Sequence, residues 1–421
     1  MHSARSKKEV IIYFANWNLK KKVPTQGGEV AGLPWDRVTY INHAFWAVAP
    51  VENPKEDSIS RRKQGATPRT EFIIESMCPE FDMEDWTPSE IDPRLSRNHF
   101  SQYEVFSQKY PDVRIMISIG GWARCGFFSE MAYTSAGRAS FIQSCVDLIE
   151  RYPWIGGIDI DWEYPGCSTA GERLPNPNSE DGDQGCPIWG TAEEDSKNFT
   201  LLLKELRAAL NDRFGKRSKK LTACAGASTT SILPMQDWAS FAKYLDLINI
   251  MTYDIAGIWD GVTGHASGLK DTKKAVKYLT ALGIPEEKLC IGSPLYAISF
   301  LMKHTPSGEI VGVPSEPYRA STKEITEAES RAFEYEAVPH DAIGWHKVYD
   351  SEAGATYLYN DNPNSPHYKW FLTYEDSTSL QGKLNYINKT DIAGIIVWEA
   401  SQDTSDYDLI SQMAEHLLDL N

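Results

Sequence analysis

Residues Gly156–Pro165 read GGIDIDWEYP, and this stretch decides the architecture. Residues two apart on a β-strand point to the same side, with a rise of roughly 3.3 Å per residue. Asp159, Asp161 and Glu163 therefore form a row of three carboxyls on one strand face, climbing toward the C-terminal end. On a barrel strand that face points inward. Three inward acids are costly unless partners compensate or function demands them. A structural salt-bridge ladder needs basic residues on the neighbouring inner faces, and the only candidate is Arg114, at the entrance of the preceding strand.

On either side of this strand, short β-rich runs alternate with amphipathic helical stretches, the pattern of parallel β/α architecture. Strands are expected at Val10–Asn16, Tyr40–Val48, Val113–Gly120, Gly157–Trp162, Leu221–Gly226, Leu247–Asp254, Leu289–Tyr296 and Gly394–Trp398. Eight parallel strands close a (β/α)8 TIM barrel. Helices are expected at Arg138–Arg151, Ser196–Phe214, Trp238–Leu245, Thr272–Leu282, Leu380–Asn388 and Tyr407–Leu418. In Arg138–Arg151, Phe141, Cys145 and Leu148 recur at helical spacing.

Two stretches break the rhythm. Ala49–Arg97, rich in Pro, Glu and Asp, reads as an elaborated loop after the second strand. Between strands seven and eight, Ala297–Glu375 contains strand-like pieces at Ile310–Val313, Phe333–Ala337, Ala355–Tyr359 and Trp370–Tyr374. It reads as a small α+β insertion domain, 298–375, leaving 1–297 and 376–421 to the barrel. Insertions of this kind sit at the C-terminal face of a barrel, where active sites are built.

Composition narrows the partner. A net charge of −16 in 421 residues argues against a polyanionic ligand such as nucleic acid, and the one basic cluster, Lys20–Lys22, reads as a solvated loop. No apolar run approaches the roughly 18 residues of a membrane span. Thirteen Trp and twenty Tyr, several near expected strand ends, suit stacking against sugar rings. The seven cysteines include no C-x-x-C, and the nine histidines are scattered, so no metal and no cofactor is expected. Cys145, Cys224 and Cys290 read as buried thiols, while Cys167 and Cys186 flank a polar loop and are placed to pair. The acidic run Asn176–Gln184 lacks the spacing of an EF-hand and reads as solvated.

Adjacent carboxyls resist simultaneous ionisation, so the row on the fourth strand should share a proton. Glu163, the outermost, is placed to meet a substrate while protonated, as a general acid for glycosidic cleavage must be. Asp161 and Glu163 share one face and cannot flank a sugar from opposite sides, so a second group must come from elsewhere. From spacing alone, Phe45 and Met251 read as barrel core and Tyr13 as the cap of a barrel layer.

At these residues the chain resembles glycoside hydrolase family 18, the chitinases and their relatives. The family signature D-G-x-D-x-D-x-E is met by Asp159, Asp161 and Glu163, with Trp162 and Tyr164-Pro165 as in the chitinase branch. Four further motifs follow in barrel order: Ser118–Trp122 (SIGGW), Met251–Asp254 (MTYD), Tyr374–Lys383 (YEDSTSLQGK), and Trp398 with Asp403. The sequence departs at Gly156, where the family has its first Asp, and at Ala297-Ile298, where many members carry Gly-Arg after the Gly292–Tyr296 run.

The resemblance implies a retaining, substrate-assisted hydrolysis of β-1,4 bonds between N-acetylglucosamine units, in which the substrate's own acetamide is the nucleophile. It implies that Glu163 is the acid/base, that Asp161 orients the acetamide with Asp159 sharing its proton, and that Tyr253 hydrogen-bonds the acetamide oxygen. It further implies a sugar site lined by Tyr13, Phe45, Met251, Asp254 and Tyr296, floored by Trp398, with Trp122 on the leaving-group side. The implied partner is chitin or its oligosaccharides, met by a monomer. The implied location is extracellular, although Met1–Glu9 carries no apolar signal core. Rival readings are a chitin-binding lectin on the same barrel, whose relatives typically lose the catalytic Glu, and an endo-β-N-acetylglucosaminidase acting on N-glycans or peptidoglycan.

Overall fold

The structure, a computed structural model, describes residues 8–17, 29–84, 98–166, 173–176, 178–179, 182–305, 308–316, 332–334, 338–339 and 344–418. The strands in chain order are β1 (Glu9–Ala15), β2 (Tyr40–Pro50), β3 (Phe72–Ser76), β4 (Arg114–Gly120), β5 (Ile155–Asp161), β6 (Lys220–Gly226), β7 (Leu247–Met251), β8 (Leu289–Pro294), β9 (Tyr296–Leu301), β10 (Ala332–Glu334), β11 (Trp345–Asp350), β12 (Ala355–Asn360), β13 (Trp370–Tyr374) and β14 (Gly394–Trp398). The order β1-β14-β8-β7-β6-β5-β4-β2, with β1 also paired to β2, closes eight parallel strands into the expected barrel.

Period-2 alternation sorts the wall into two layers. Outward residues such as Ile117, Ile158, Ile160, Ile248 and Ile291 join one large core with the surrounding helices. Inward residues, among them Ile11, Tyr13, Met116, Cys224 and Ile396, form a smaller cluster inside the barrel. The helix Ala192–Phe214 shows how local sequence feeds this packing. Thr191 and Glu194 form a capping box, Leu202, Leu206 and Leu210 face the core, and Gly215 ends the helix at a φ of 93°. Each of those leucines, fully buried, contributes about 1.5–3 kcal/mol. Among the described residues, no helix is long and apolar enough to cross a membrane.

Beyond the barrel, the stretch between β8 and β14 builds an antiparallel sheet in the order β10-β9-β13-β12-β11. Phe300, Tyr357 and Phe371 pack on one side of it, and Leu358, Leu372 and Tyr374 on the other. The YEDSTSLQGK run anchors this sheet. Asp376 caps the helix Ser377–Lys389, and Lys383 is buried in an ion pair with Glu375 while also donating to Ser267 Oγ at 2.6 Å and the Gly292 carbonyl at 3.1 Å.

Several expectations need correction. Ala49–Arg97 is not simply a loop: within its described part β2 extends to Pro50, β3 pairs antiparallel with it, and Ser58–Lys63 is helical. Ile310–Val313 is a turn, not a strand. Gly312 takes a φ of 82°, and the backbone bonds of Gly312 and Val313 go to Thr263, while Ile310 and Val313 pack inward. The helix expected at Trp238–Leu245 stops at Phe241: past it the backbone tightens to i−3 bonds, Lys243 N to Ser240 O and Tyr244 N to Phe241 O, and Lys288 Nζ takes up the carbonyls of Ala242 and Leu245. Of Phe333–Ala337, the start belongs to β10 and the remainder lies outside the described residues. Cys167 also lies outside them, whereas Cys186 is a free, buried thiol facing Trp162 Nε1 at 3.3 Å.

Candidate active site

Glycine sets the strand spacing at the site. A Cβ on Gly157 would lie 2.1 Å from the Lys220 carbonyl, so β5 approaches β6 only because this position is bare. At the top of β4, Gly120 and Gly121 have φ of 117° and 82°, and Cβ atoms there would strike the Asp161 carbonyl and the Phe45 ring. The backbone thus folds over the end of β5 and donates Gly121 N–H to Asp161 O at 2.8 Å. Gly156, the departure from the signature, sits at the start of β5, remote from this end.

The three carboxyls climb inside the barrel as their spacing predicts, but their surroundings differ. Asp159 is fully buried and ringed by donors: Thr222 Oγ1 at 2.5 Å, Ser118 Oγ at 2.8 Å, Tyr13 OH at 2.9 Å and Asn249 Nδ2 at 3.1 Å. Two of its three hydroxyl neighbours follow from register, since Ser118 and Thr222 pair directly with Asp159 across β4 and β6. Burial still holds its carboxyl above the usual range, against those hydrogen bonds. Asp161 is 4% exposed, and its Oδ1 has no hydrogen-bond partner among the described residues. Burial first, then the charges of Glu163 and Asp159, push its carboxyl well up. Glu163 lies two residues past the end of β5 and is 9% exposed. Burial raises it to about 7, with the Arg173 guanidinium opposing the shift.

Above the acids opens a cleft of about 1090 Å³, lined by Tyr13, Phe45, Trp122, Asp161, Glu163, Met251, Tyr253, Asp254 and Trp398 among others. Trp398, from the end of β14, stacks on Phe45 at 5.3 Å and meets Tyr13 at 5.8 Å. Phe45, Met251 and Tyr13 serve both readings made of them, since they pack in the inner cluster and line the cleft. Tyr296 is not in the lining but donates its hydroxyl to Asp254 Oδ1 at 2.7 Å, fixing that carboxylate. Trp122 is 55% exposed at the rim.

Spacing alone did not single out Thr222, Cys224 or Asn249 as hosts of Asp159. The available signal was polar residues at inward positions of β6 and β7. Trp17, Trp259, Asp260 and Arg173 were also missed. The first three line the cleft, and Arg173 lies over Trp122. The scattered histidines hold a surprise as well: His43 and His99 converge on Asp82 beside the outward ring of Phe14, with ligand-type atoms within 4.8 Å of one another. Asp82 is already engaged there by four hydrogen-bond donors, His43, His99, Asn16 and Ser76.

Chitinase A of Pseudoalteromonas piscicida is 28% identical over 450 residues, covering 94% of this chain and 50% of its own length. Chitinase A1 of Niallia circulans is 29% identical over 330 residues, covering 72% and 43%. The chain therefore spans half or less of the length of these relatives. The crystal structure of the Ostrinia furnacalis Group IV chitinase matches with a TM-score of 0.74 at 24% identity, covering 97% of this chain and 99% of its own, a likeness of fold. The family model of Glycosyl hydrolases family 18 matches residues 9–403, and with it the carboxyl row, the cleft and the barrel: the chain belongs to glycosyl hydrolase family 18.

Proposed function

We propose that the chain is a chitinase that hydrolyses β-1,4 bonds between N-acetylglucosamine units with retention, using the substrate's acetamide as nucleophile. The observation that carries this reading is the unmatched Oδ1 of Asp161, buried beside a Glu163 that stays protonated up to about pH 7. A carboxyl with an open acceptor next to a proton donor suits a substrate N–H and a leaving oxygen at once. It does not suit two carboxyls acting across the bond, which an ordinary retaining glycosidase holds roughly 5 Å apart on opposite sides.

In this mechanism Glu163 protonates the glycosidic oxygen as the C–O bond breaks. The acetamide oxygen attacks the anomeric carbon and forms a cyclic oxazolinium. Asp161 accepts the acetamide N–H and offsets the positive charge, Asp159 shares the proton of the pair, and Tyr253 donates to the acetamide oxygen. Glu163, now ionised, takes a proton from water, which opens the ring and restores the starting configuration. Trp398 floors the reacting sugar, Tyr13, Phe45, Met251 and Asp254 shape its pocket with Tyr296 holding Asp254 from behind, and Trp122 stacks on the leaving-group side. Residues 298–375 act as an insertion domain that walls the groove for a linear chain.

The two bacterial relatives are chitinases, and the Ostrinia furnacalis Group IV chitinase has also been solved in complex with allosamidin, which supports the same substrate class. A product time course on N-acetylglucosamine oligomers, with chitobiose-core glycans alongside, tests it. Oligomers should be shortened and glycans left intact; cleavage of the glycans alone would replace the proposed substrate.

A further inference from the structure

The polar loop after β5 reaches back over the site through one side chain. The loop is held as a small hairpin by bridges between Arg173 and Cys186 and between Asn176 and Asp183. Its Arg173 guanidinium lies over the Trp122 ring, 3.9 Å from the centroid. The same group pairs with Asp183 through Nη1 at 2.8 Å, and through Nη2 donates to the backbone carbonyls of Glu163, at 3.3 Å, and Trp122. A planar five-donor fork can join a ring face, a carboxylate and two carbonyls in this way, and an ammonium cannot.

We propose that Arg173 is a positioning residue of the cleavage reaction: it clamps Trp122 as a platform with one open face and sets its positive charge against Glu163. The inference rests on the chitinase reading. With one ring face covered by Arg173, the exposed area of Trp122 presents the other face to a sugar. The groups that act on Glu163 from the surrounding elements are Asp161 at the end of β5, Asp183 on the loop, Asp254 and Tyr253 after β7, Tyr296 on β9, and Tyr164, Cys125 and Cys224. Arg173 is the first influence opposing burial at Glu163. Removing it makes ionisation of Glu163 harder, so the acid form persists to higher pH.

The test compares wild type with Arg173→Gln and Arg173→Lys on N-acetylglucosamine oligomers, after thermal unfolding confirms that each folds. In Arg173→Gln the alkaline limb of kcat/KM should move up by roughly one pH unit. In Arg173→Lys the limb should stay near its wild-type position. Both should raise KM roughly 2- to 5-fold through loss of the ring cover. A limb that does not move in Arg173→Gln, or KM unchanged in both variants, overturns the proposal. Carbon-13 NMR titration of the Glu163 carboxyl in wild type and Arg173→Gln reads the same shift without turnover. A shift seen in a protein that cuts no oligomer would support Arg173's role and reject the substrate instead.

Discussion

Two groups of buried acids sit on opposite sides of the barrel wall, and burial gives them opposite fates. Outside, Asp82 is fully buried, and its two oxygens accept from His43 and His99, both at 2.9 Å, and from Asn16 and Ser76. The two histidines overcome desolvation and hold its carboxyl well below the usual range. Inside, Asp161 and Glu163 are buried to a similar degree and are pushed up, by burial first and then by like charges, Glu163 and Asp159 acting on Asp161 and Asp254 and Asp183 on Glu163. Burial alone does not set an acid's chemistry: two histidines offset it at Asp82, whereas Asp159, ringed by uncharged donors, is still raised. Where a cationic partner is at hand the acid stays ionised, and where like charges crowd it a proton is kept.

The largest effect should come from Glu163→Gln, which keeps shape but removes the proton. Turnover of N-acetylglucosamine oligomers should fall by at least roughly 10²–10⁴, with oligomer binding kept in calorimetry. Near-normal turnover would place the acid elsewhere.

Asp82→Ala should do the reverse, leaving His43, His99, Asn16 and Ser76 without their acceptor. The expected loss is about 3–5 kcal/mol in urea unfolding, with the rate per folded molecule unchanged. A selective fall in rate would mean that the outer cluster serves the cleft.

The pH dependences should also oppose each other. Glu163 is raised in the folded state, so its share of stability is present at low pH and lost as pH rises toward and through about 7. Asp82 is lowered, so its share is present above the ordinary aspartate range and lost as pH falls below it. Thermal unfolding against pH should therefore flatten between the ordinary glutamate range and about 7 in Glu163→Gln, and below the ordinary aspartate range in Asp82→Asn. In the rate profile, kcat/KM should fall as pH passes about 7, and Asp254→Asn, which removes a like charge, should move that fall to lower pH. A fall unmoved or displaced upward would dissociate it from Glu163. The smallest effect is Trp122→Ala: KM should rise roughly 2- to 10-fold with kcat held, and a collapse of kcat would show that this rim residue does more than stack.

What could be read from sequence follows the same division. The carboxyl row was legible because a period-2 pattern in one strand places Asp159, Asp161 and Glu163 without help from the rest of the chain. The barrel was legible because each strand is a local apolar run. The hosts of Asp159 were not, since Ser118, Thr222 and Asn249 meet it only through the register of four strands. His43 and His99 looked scattered because a separate element, the helix Pro79–Asp82, brings the acid that joins them. Residues Phe72–Ser76 carry a strand's alternation in their burial, yet their polar surroundings masked it. Arg173 was hidden for a related reason: its partners, Trp122 and Glu163, lie on other segments.

The anomeric form of the first product reports which group is the nucleophile. Proton NMR during cleavage of an N-acetylglucosamine oligomer, before mutarotation, should show the β-anomer, and fully deacetylated chitosan in the same tube format should remain uncut. Fresh α-anomer, or steady cleavage of the deacetylated polymer, would contradict attack by the acetamide held at Asp161.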